Sequence, residues 1–191
     1  MTTNMNRAIK CAVAAATFGI SAAASAQLTY QGVTFTPSYS GNVLTIEIDA
    51  ANPTGDWADA TGMIALQVKD IGTWTSVSFS GPGAAADWDV VPNELNANGC
   101  EGGDSGNMRA CASGDVVALT DDMLFTYTFT GGTQDFSYPQ LKVIFVDAQG
   151  EKTGSLLSMN VPAIPEPSTY AMLLGGLGVL ALARRHAKKT S

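Results

Sequence analysis

Histidine is almost missing from this sequence. The single histidine among the 191 residues is His186, close to the C-terminal end. The long segment before it therefore offers no Ser-His-Asp triad, no Cys-His nucleophile and no histidine ligand for zinc. A phosphate-binding glycine loop of the Walker type is absent from the sequence as well. These absences exclude most of the common catalytic architectures, and we expect no enzyme activity.

Basic residues are scarce through the middle of the chain. Between Gln27 and Pro167 there are four Lys or Arg residues against seventeen Asp or Glu residues, a net charge of −13, whereas the whole chain carries −7. Affinity for nucleic acid rests on neutralising phosphates with Lys and Arg, so nucleic acid is excluded as a partner. Mutual repulsion that keeps the protein soluble is one explanation of this acidity, and binding of a divalent cation is the alternative.

The N-terminus has the pattern of a secretory signal peptide. Positions 1–10 contain Arg7 and Lys10 and no acid, and positions 11–24 are small and apolar. Ala24-Ser25-Ala26 before Gln27 forms an A-x-A cleavage site. The sequence therefore predicts a signal peptide over residues 1–26, cleavage between Ala26 and Gln27, and export of the chain that follows.

Cysteine is also rare. Cys11 lies in the predicted signal peptide, which leaves Cys100 and Cys111 in the exported part. An even pair of cysteines in an oxidising compartment predicts a disulfide. Closing a loop of about a dozen residues stabilises a fold by about 3 kcal/mol. Two cysteines without histidine fall short of the four ligands of a structural zinc site.

Apolar and polar residues alternate along several central segments. In 43–49, for example, Leu44, Ile46 and Ile48 lie on one face of a strand, and the same pattern recurs in 64–69, 75–80, 125–130 and 141–146. Residues 28–35 and 152–159 are predicted outer strands, and Gly-, Asn- and Pro-containing turns separate the segments. The pattern predicts an all-β fold, an antiparallel β-sandwich of about seven to eight strands over residues 27–160.

One long stretch interrupts this alternation. Residues 81–114 are rich in Gly, Asn and Ala and show no strand pattern beyond Val90-Val91. Residues 92–98 fit one helical turn. Loops of this length inside compact domains are usually functional or disordered, and the predicted disulfide favours an ordered insertion.

The C-terminal end divides into three parts. A polar stretch at 161–169 contains Pro162, Pro165 and Pro167, which cannot sit inside a helix, so we predict an exposed linker there. Fourteen uncharged residues at 170–183 follow, and four Lys or Arg residues lie in the tail at 184–191. This order is typical of a transmembrane helix with a cytoplasmic basic end. The helix is short for a bilayer about 30 Å thick, so we expect a temporary anchor in the inner membrane.

The same residues carry a resemblance to a known family. Pro165-Glu166-Pro167, the Ser-Thr pair after it, the apolar Gly/Leu/Ala-rich segment and the Arg/Lys cluster together resemble the PEP-CTERM sorting signal of Gram-negative bacteria. The resemblance covers residues 164–189. It implies recognition of the Pro-Glu-Pro residues by an exosortase-type membrane transpeptidase, cleavage near the motif, and delivery to the cell surface or extracellular matrix. The segment is also labelled an ice-binding protein C-terminal domain, which implies no ice binding by the domain before it.

Acidic residues are the remaining candidates for chemistry in the exported part. Asp87 and Asp89 flank Trp88, and a glycoside hydrolase needs two carboxylates across a sugar. Such pairs also arise by chance in an acidic loop. Oxygen ligands for Ca²⁺ are offered by Asp121-Asp122 and by three residues of the predicted disulfide loop, Glu101, Asp104 and Asn107. Their spacing does not match an EF-hand, so no cofactor is expected and solvated acids are the simpler interpretation.

Two tryptophans lie beside acids in predicted loops. Trp57 follows Asp56, and Trp88 lies between two aspartates. Exposed aromatic rings often mark binding surfaces, which makes both residues candidate contacts for carbohydrate. The alternative is that both rings fold back onto the sandwich, as most tryptophans do.

These observations together predict an exported, exosortase-sorted protein of the envelope or extracellular matrix. We expect a structural or adhesive role in the polysaccharide matrix of a biofilm, with exopolysaccharide as a further partner. A carbohydrate-binding module that uses Trp57 and Trp88 is the alternative, and a Ca²⁺-dependent glycoside hydrolase is a weaker one.

Overall fold

The computed structural model describes residues 26–103 and 108–165. The predicted signal peptide up to residue 25, the predicted membrane helix at 170–183 and the basic tail at 184–191 lie outside the described residues. In the part that is described, no helix has both the length and the apolar character needed to cross a membrane.

The described chain is all-β, as predicted. It contains two short 3-10 helices (Gly55–Trp57 and Gly83–Asp87) and eleven strands: β1 (Leu28–Tyr30), β2 (Val33–Ser40), β3 (Val43–Asp49), β4 (Gly62–Lys69), β5 (Ser76–Ser80), β6 (Asp89–Val91), β7 (Arg109–Ala118), β8 (Met123–Thr130), β9 (Gln140–Val146), β10 (Leu157–Asn160) and β11 (Ile164–Pro165). The expected seven to eight strands are exceeded because several peripheral strands are only two to four residues long.

The strands form two sheets that pack face to face. The front sheet has the order β1-β2-β3-β8-β5, and the back sheet has the order β10-β9-β4-β7-β6. Neighbouring strands along both paths are antiparallel. The short strand β11 adds to β2 in parallel. The result is a sandwich of two five-stranded antiparallel sheets, the front one extended to six strands by the parallel strand β11.

The predicted alternation places the core between the sheets. Leu44, Ile46 and Ile48 of β3 are fully buried, and residues of both sheets belong to one continuous apolar cluster. Tyr127 of β8 crosses this layer, and its hydroxyl donates a hydrogen bond of 2.8 Å to the carbonyl oxygen of Leu66 on β4. Burial raises the pKa of the Tyr127 hydroxyl well above its ordinary value, so the hydroxyl stays neutral and links the two sheets.

The outer strands differ from the prediction. Residues 28–35 form a hairpin rather than one strand, because Gln31 and Gly32 adopt positive φ values of 46° and 76° between β1 and β2. This is the backbone conformation of a tight hairpin turn. A Cβ at Gly32 would lie 2.5 Å from the carbonyl oxygen of Asn52, so glycine is required there. Residues 152–159 supply only the start of β10, and Lys152 makes an isolated bridge to Val146.

The stretch at 81–114 is more regular than predicted. It contains the second 3-10 helix, the edge strand β6 and the first half of β7. The first half of β7 was not predicted as a strand, because most of its residues are small and do not show the alternation of large apolar and polar side chains. Ala110 and Ala112 are fully buried, and Gly114 leaves room for the indole of Trp88, where a Cβ would lie 2.5 Å from Cδ1. The helical turn predicted at 92–98 is wrong, because Asn96 and Gly99 exchange backbone hydrogen bonds across a tight turn.

The predicted disulfide between Cys100 and Cys111 is confirmed. Cys111 lies on β7, so the bond ties residues 92–103, here called the covering loop, to the outer face of the back sheet. Leu95 of this loop is 1% exposed and completes a second apolar cluster with Ala65, Ile144 and other residues of that face. The covering loop is therefore the cover of a second small core and not a free insertion.

The bond between Tyr127 and Leu66 yields a stability prediction. Replacing Tyr127→Phe removes the hydroxyl from the core and is expected to lower the free energy of unfolding by about 1 kcal/mol. Chemical denaturation measures the change. Tyr138→Phe is the matched control, since Tyr138 is 54% exposed and should leave stability unchanged. Equal stability of both variants would show that the hydroxyl contributes nothing to the contact between the sheets.

Candidate functional site: the C-terminal exit and the charged face of the back sheet

Residues 161–165 pack against the sandwich, so the exposed linker predicted at 161–169 is wrong for these five residues, and residues 166–169 lie outside the described part. Val161 is fully buried and Ala163 is 8% exposed, and both belong to the main apolar cluster. Their backbone N–H groups donate hydrogen bonds to the carbonyl oxygens of Pro139 at 2.9 Å and Ser137 at 3.1 Å. Pro162 and Pro165, two of the prolines that excluded a helix, are compatible with this extended conformation. We call residues 161–165 the C-terminal strap.

The strap ends as a strand at the edge of the front sheet. Ile164 and Pro165 of β11 pair in parallel with Ser38 and Tyr39 of β2. Proline is tolerated at such an edge because its missing N–H need not serve an inner ladder. Pro165, the first residue of the predicted recognition motif, therefore begins within the fold, whereas Glu166 and Pro167 lie outside the described residues. No spacer separates the motif from the domain.

This attachment limits how far the motif extends from the domain. A fully extended chain spans about 3.4 Å per residue. Detaching the five residues of the strap would therefore add about 17 Å of reach. The strength of the strap decides whether a membrane enzyme meets the motif close to the sandwich or on a freed tether.

Trp57 is not a surface residue, contrary to its prediction as a carbohydrate contact. It is 1% exposed, and its ring lies at 4.7 Å from that of Phe145 in an edge-to-face arrangement. The indole Nε1–H donates to the carbonyl oxygen of Ser155 at 3.1 Å. Burial of the Trp57 ring leaves no polar group without a hydrogen bond, because its single N–H has a partner. The acid beside Trp57 in the sequence therefore does not predict that the ring is exposed.

Trp88 is buried in the same way at the other end of the aromatic layer. It is 5% exposed, its ring is nearly parallel to that of Phe79, and Nε1–H donates to the carbonyl oxygen of Asp115 at 2.8 Å. Asp87 and Asp89 point into solvent on either side. The two tryptophans share no exposed face, and the predicted carbohydrate contact through them is wrong.

The structure describes only part of the residues proposed as Ca²⁺ ligands in the disulfide loop. Glu101 is exposed on the covering loop, and Asp104 and Asn107 lie outside the described residues. A different trio, Glu47, Asp49 and Asp122, has carboxylate oxygens within 4.8 Å of one another.

One carboxylate of this trio, Asp49, and the neighbouring Asp121 accept hydrogen bonds from the backbone. Asp49 accepts a hydrogen bond from the N–H of Asp122 at 2.9 Å, and Asp121 accepts one from the N–H of Ala51 at 3.0 Å. These bonds stabilise the turn before β8, where Asp122 has a positive φ of 58°. The pairing of β3 with β8 brings these acids together, and only the Asp121-Asp122 pair was visible in the sequence.

The back sheet carries a charge cluster that the sequence did not indicate. Glu94 of the covering loop accepts hydrogen bonds from Arg109 of β7 and Lys142 of β9, and Lys69 of β4 lies 3.7 Å from its Oε1. Three of the four basic residues between positions 27 and 167 therefore converge on one carboxylate. Three separate strands supply them, which is why no local pattern revealed the cluster.

Charge and burial act in opposite directions on Glu94. Partial burial acts to raise the pKa of its carboxyl, but the hydrogen bond from Lys142 and the charges of Lys142, Lys69 and Arg109 outweigh it, and the pKa falls below its ordinary value. Next to it, the fully buried Gln67 donates from Nε2 to the carbonyl oxygen of Asn93 at 2.6 Å. Side chains from the sheet thus hold the start of the covering loop, and the disulfide holds its end.

Two cavities flank the covering loop. One of about 100 Å³ is lined by Asn96, Ile144 and Leu156 among others. The other is an open groove of about 350 Å³ beside Ile64, Val91 and the disulfide. Pockets for small organic ligands usually enclose about 300–1,000 Å³ and cover most of the ligand, whereas this groove is shallow and open. Neither cavity brings together the acids proposed for catalysis.

Comparison with known proteins identifies the C-terminal segment. Residues 163–189 match the family described as the PEP-CTERM protein-sorting motif, which confirms the resemblance seen in the sequence. No curated protein matches the chain. The motif marks an exported protein that an exosortase, a membrane enzyme, sorts to the cell surface or the extracellular space. The match begins at Ala163, inside the strap that packs against the sandwich.

The strap leads to a prediction about exchange and processing. Ala163→Pro removes the N–H that bonds Ser137, and the strap amides should then exchange with deuterium about tenfold faster, corresponding to about 1.4 kcal/mol. A freed strap should also speed processing by the sorting enzyme in a pulse-chase experiment. Ala163→Ser keeps the N–H and serves as the control. Unchanged exchange in Ala163→Pro would contradict docking of the strap.

The Glu94 cluster generates a pH prediction. Because the folded-state pKa of Glu94 is lowered, its stabilising contribution is fully present above the unfolded-state pKa and is lost as the pH falls from there through the lowered folded-state pKa. Glu94→Gln should lower the free energy of unfolding at pH 7 by about 1–3 kcal/mol and flatten this acid dependence. Glu101→Gln, on the same loop but exposed, should behave as wild type. Urea melts between pH 3 and pH 7 measure both, and identical profiles would refute the cluster's role.

Proposed function

We propose that this protein is a non-enzymatic structural component of an extracellular polysaccharide matrix. Its sorting motif delivers it to the surface, and its sandwich acts there as a rigid, displayed body. The observation that carries the proposal is the C-terminal strap. Since the motif continues from β11 without a spacer, the folded sandwich arrives at the site of sorting as one unit with its attachment point.

The charge distribution supports a role in which the protein molecules stay separated from one another and hydrated within the matrix. Three of the four basic residues between positions 27 and 167 pair with Glu94. Lys152 is therefore the one basic residue left to balance the other acids of that region. A high net negative charge keeps copies of a protein apart and soluble. Molecules displayed at high density on a surface would therefore stay spread through a matrix rather than collapse onto one another.

The stapled back sheet supports persistence outside the cell. The disulfide closes a segment with a sequence separation of 11 residues and covers a second apolar cluster. A native disulfide in a small exported domain contributes about 2–5 kcal/mol. Such a domain tolerates an environment without chaperones or repair.

The role in the matrix has a direct test in the producing organism. Deleting the gene should reduce the mass and cohesion of the extracellular matrix, and restoring the wild-type protein should recover both. A variant with Glu166→Ala in the sorting motif should remain in the membrane fraction and fail to restore them. Glu151→Ala, an exposed acid outside the motif, is the matched control. An unchanged matrix in the deletion strain, or release of sugars from matrix polysaccharide by the purified protein, would contradict the proposal.

Intact mass spectrometry tests the processing that the proposal requires. The protein recovered from the outer surface should lack residues 1–26 and the residues after the sorting motif, because the signal peptide and the basic tail are removed during export and sorting. Recovery of the chain through Ser191 from the outer surface would contradict cleavage.

A further inference from the structure

The outer face of the front sheet is lined by hydroxyl groups. Every second residue along its strands faces away from the core, and eleven of these outward positions are Ser or Thr. They are Thr34, Thr36, Ser38 and Ser40 of β2, Thr45 of β3, Thr126, Thr128 and Thr130 of β8, and Ser76, Ser78 and Ser80 of β5. All of them are partly or fully exposed. We call this surface the hydroxyl face.

Strand pairing arranges these residues in rows across the sheet. Ser38 is opposite Thr45, Thr45 is opposite Thr126, and Thr126 is opposite Ser80. A second row runs through Ser40, Val43, Thr128 and Ser78. Strands lie about 4.8 Å apart, so each row of four extends about 14 Å, and neighbouring rows are about 7 Å apart. The hydroxyl face is therefore a regular strip of aligned rows and not a scatter of small residues.

These two rows are uncharged on a strongly acidic domain, and the first carboxylate of the face, Glu47, lies in the next row opposite Thr36. The two rows contain no Asp, Glu, Lys or Arg, whereas about a quarter to a third of a soluble surface is normally charged. Strand propensity accounts for threonine but not for serine, which is not a strand former. The edge strand β5 has serine at all three outward positions, where edges usually carry lysine or proline against unwanted pairing.

The hydroxyls of the first row are available to a partner. Among the described residues, the side chains of Ser38, Thr45, Thr126 and Ser80 make no hydrogen bond, whereas Ser76 and Thr130 at the margin bond each other. A hydroxyl offers one donor and two acceptor sites. A row of four can therefore exchange hydrogen bonds in both directions with a ligand that also carries hydroxyls.

We propose that the hydroxyl face docks an extended, uncharged polysaccharide chain. The proposal rests on the matrix role above and assigns its partner and surface. Sugar hydroxyls match the row of donors and acceptors, and the threonine methyl groups with Val43 supply apolar contacts for the C–H faces of the rings. A chain of uronates, phosphates or sulfates would find no cation on this strip and would be repelled by a domain of charge −13.

The size of the strip sets the strength of binding. Two rows of about 14 Å contact only a few sugar units, so one copy binds weakly. A long polysaccharide presents many such segments, and several copies attached to one surface would hold it by multivalency. Weak single contacts with strong collective attachment suit a protein that is displayed in many copies on a matrix.

Co-sedimentation of the full chain with insoluble polysaccharide tests the docking. The probes are amorphous cellulose and cross-linked dextran as uncharged chains, and cross-linked polygalacturonate as the anionic one. At low salt, wild type should sediment with at least one uncharged probe and not with polygalacturonate. The double variant Thr45→Val and Thr126→Val keeps side-chain shape but removes two hydroxyls of one row, and the bound fraction should fall at least fivefold. Thr61→Val, at an exposed position outside the sheets, is its control.

A second pair of variants tests the docking surface by introducing a lysine that blocks it, so that the result does not depend only on deleting hydroxyl groups. Thr126→Lys blocks the centre of the hydroxyl face, and Ser158→Lys makes the same charge change at an exposed strand position of the back sheet. Thr126→Lys should abolish sedimentation and Ser158→Lys should not. Thermal melting of each variant confirms that it is folded, and a variant that fails to fold is replaced by Ser78→Lys at an exposed edge position.

Three results of the sedimentation experiment would overturn the docking. They are equal sedimentation of all variants, preferential binding of polygalacturonate, and no binding to any uncharged probe. Loss of self-association in Thr126→Lys would also overturn it, because the face would then be an interface between copies. If one of these results is obtained but deletion of the gene still reduces the matrix, the structural role is supported and only the proposed docking surface is wrong.

Discussion

The layer of aromatic rings between the two sheets is the feature on which the rest of the structure depends. Aromatic residues make up 8% of the chain, and most of those described lie in contact with one another inside the sandwich. Trp57 and Trp88 occupy opposite parts of the layer, and each donates its indole N–H to a backbone carbonyl. Tyr127 ties the layer to the back sheet. Because most of the large rings are directed into the layer between the sheets, the two outer faces do not share them and can differ in character.

The two outer faces do differ, and the difference organises the proposed functions. The back sheet is covered by residues 92–103, which the disulfide and the Glu94 cluster hold at their two ends. This face is therefore committed to stability. The front sheet has no cover among the described residues and presents ordered rows of hydroxyls. One sheet stabilises the domain while the other remains open to a partner, and the strap places Pro165, the first residue of the sorting motif, at the edge of the open one.

Because the strap packs against the sandwich, sorting of this chain is coupled to its folding. Val161 and Ala163 are part of the main core, so the segment that leads into the motif is in place only when the sandwich is formed. A membrane enzyme that meets the motif therefore meets it beside a folded domain. The physical link is short: two backbone hydrogen bonds and one two-residue parallel pairing. Such a link is strong enough to order the strap and weak enough to open locally.

The strands of the core, the disulfide and the sorting motif could be predicted from the sequence. The strands and the motif depend on residues within one segment, and the disulfide followed from the presence of two cysteines. The period of two in β3 and β8 is a property of neighbouring residues and survives in the fold. Tertiary structure alone decided the burial of Trp57 and Trp88, the docking of the strap and the convergence of three cations on Glu94. Each of these joins strands that are far apart in the sequence, and whether a ring or a charge is covered depends on what the fold brings to it.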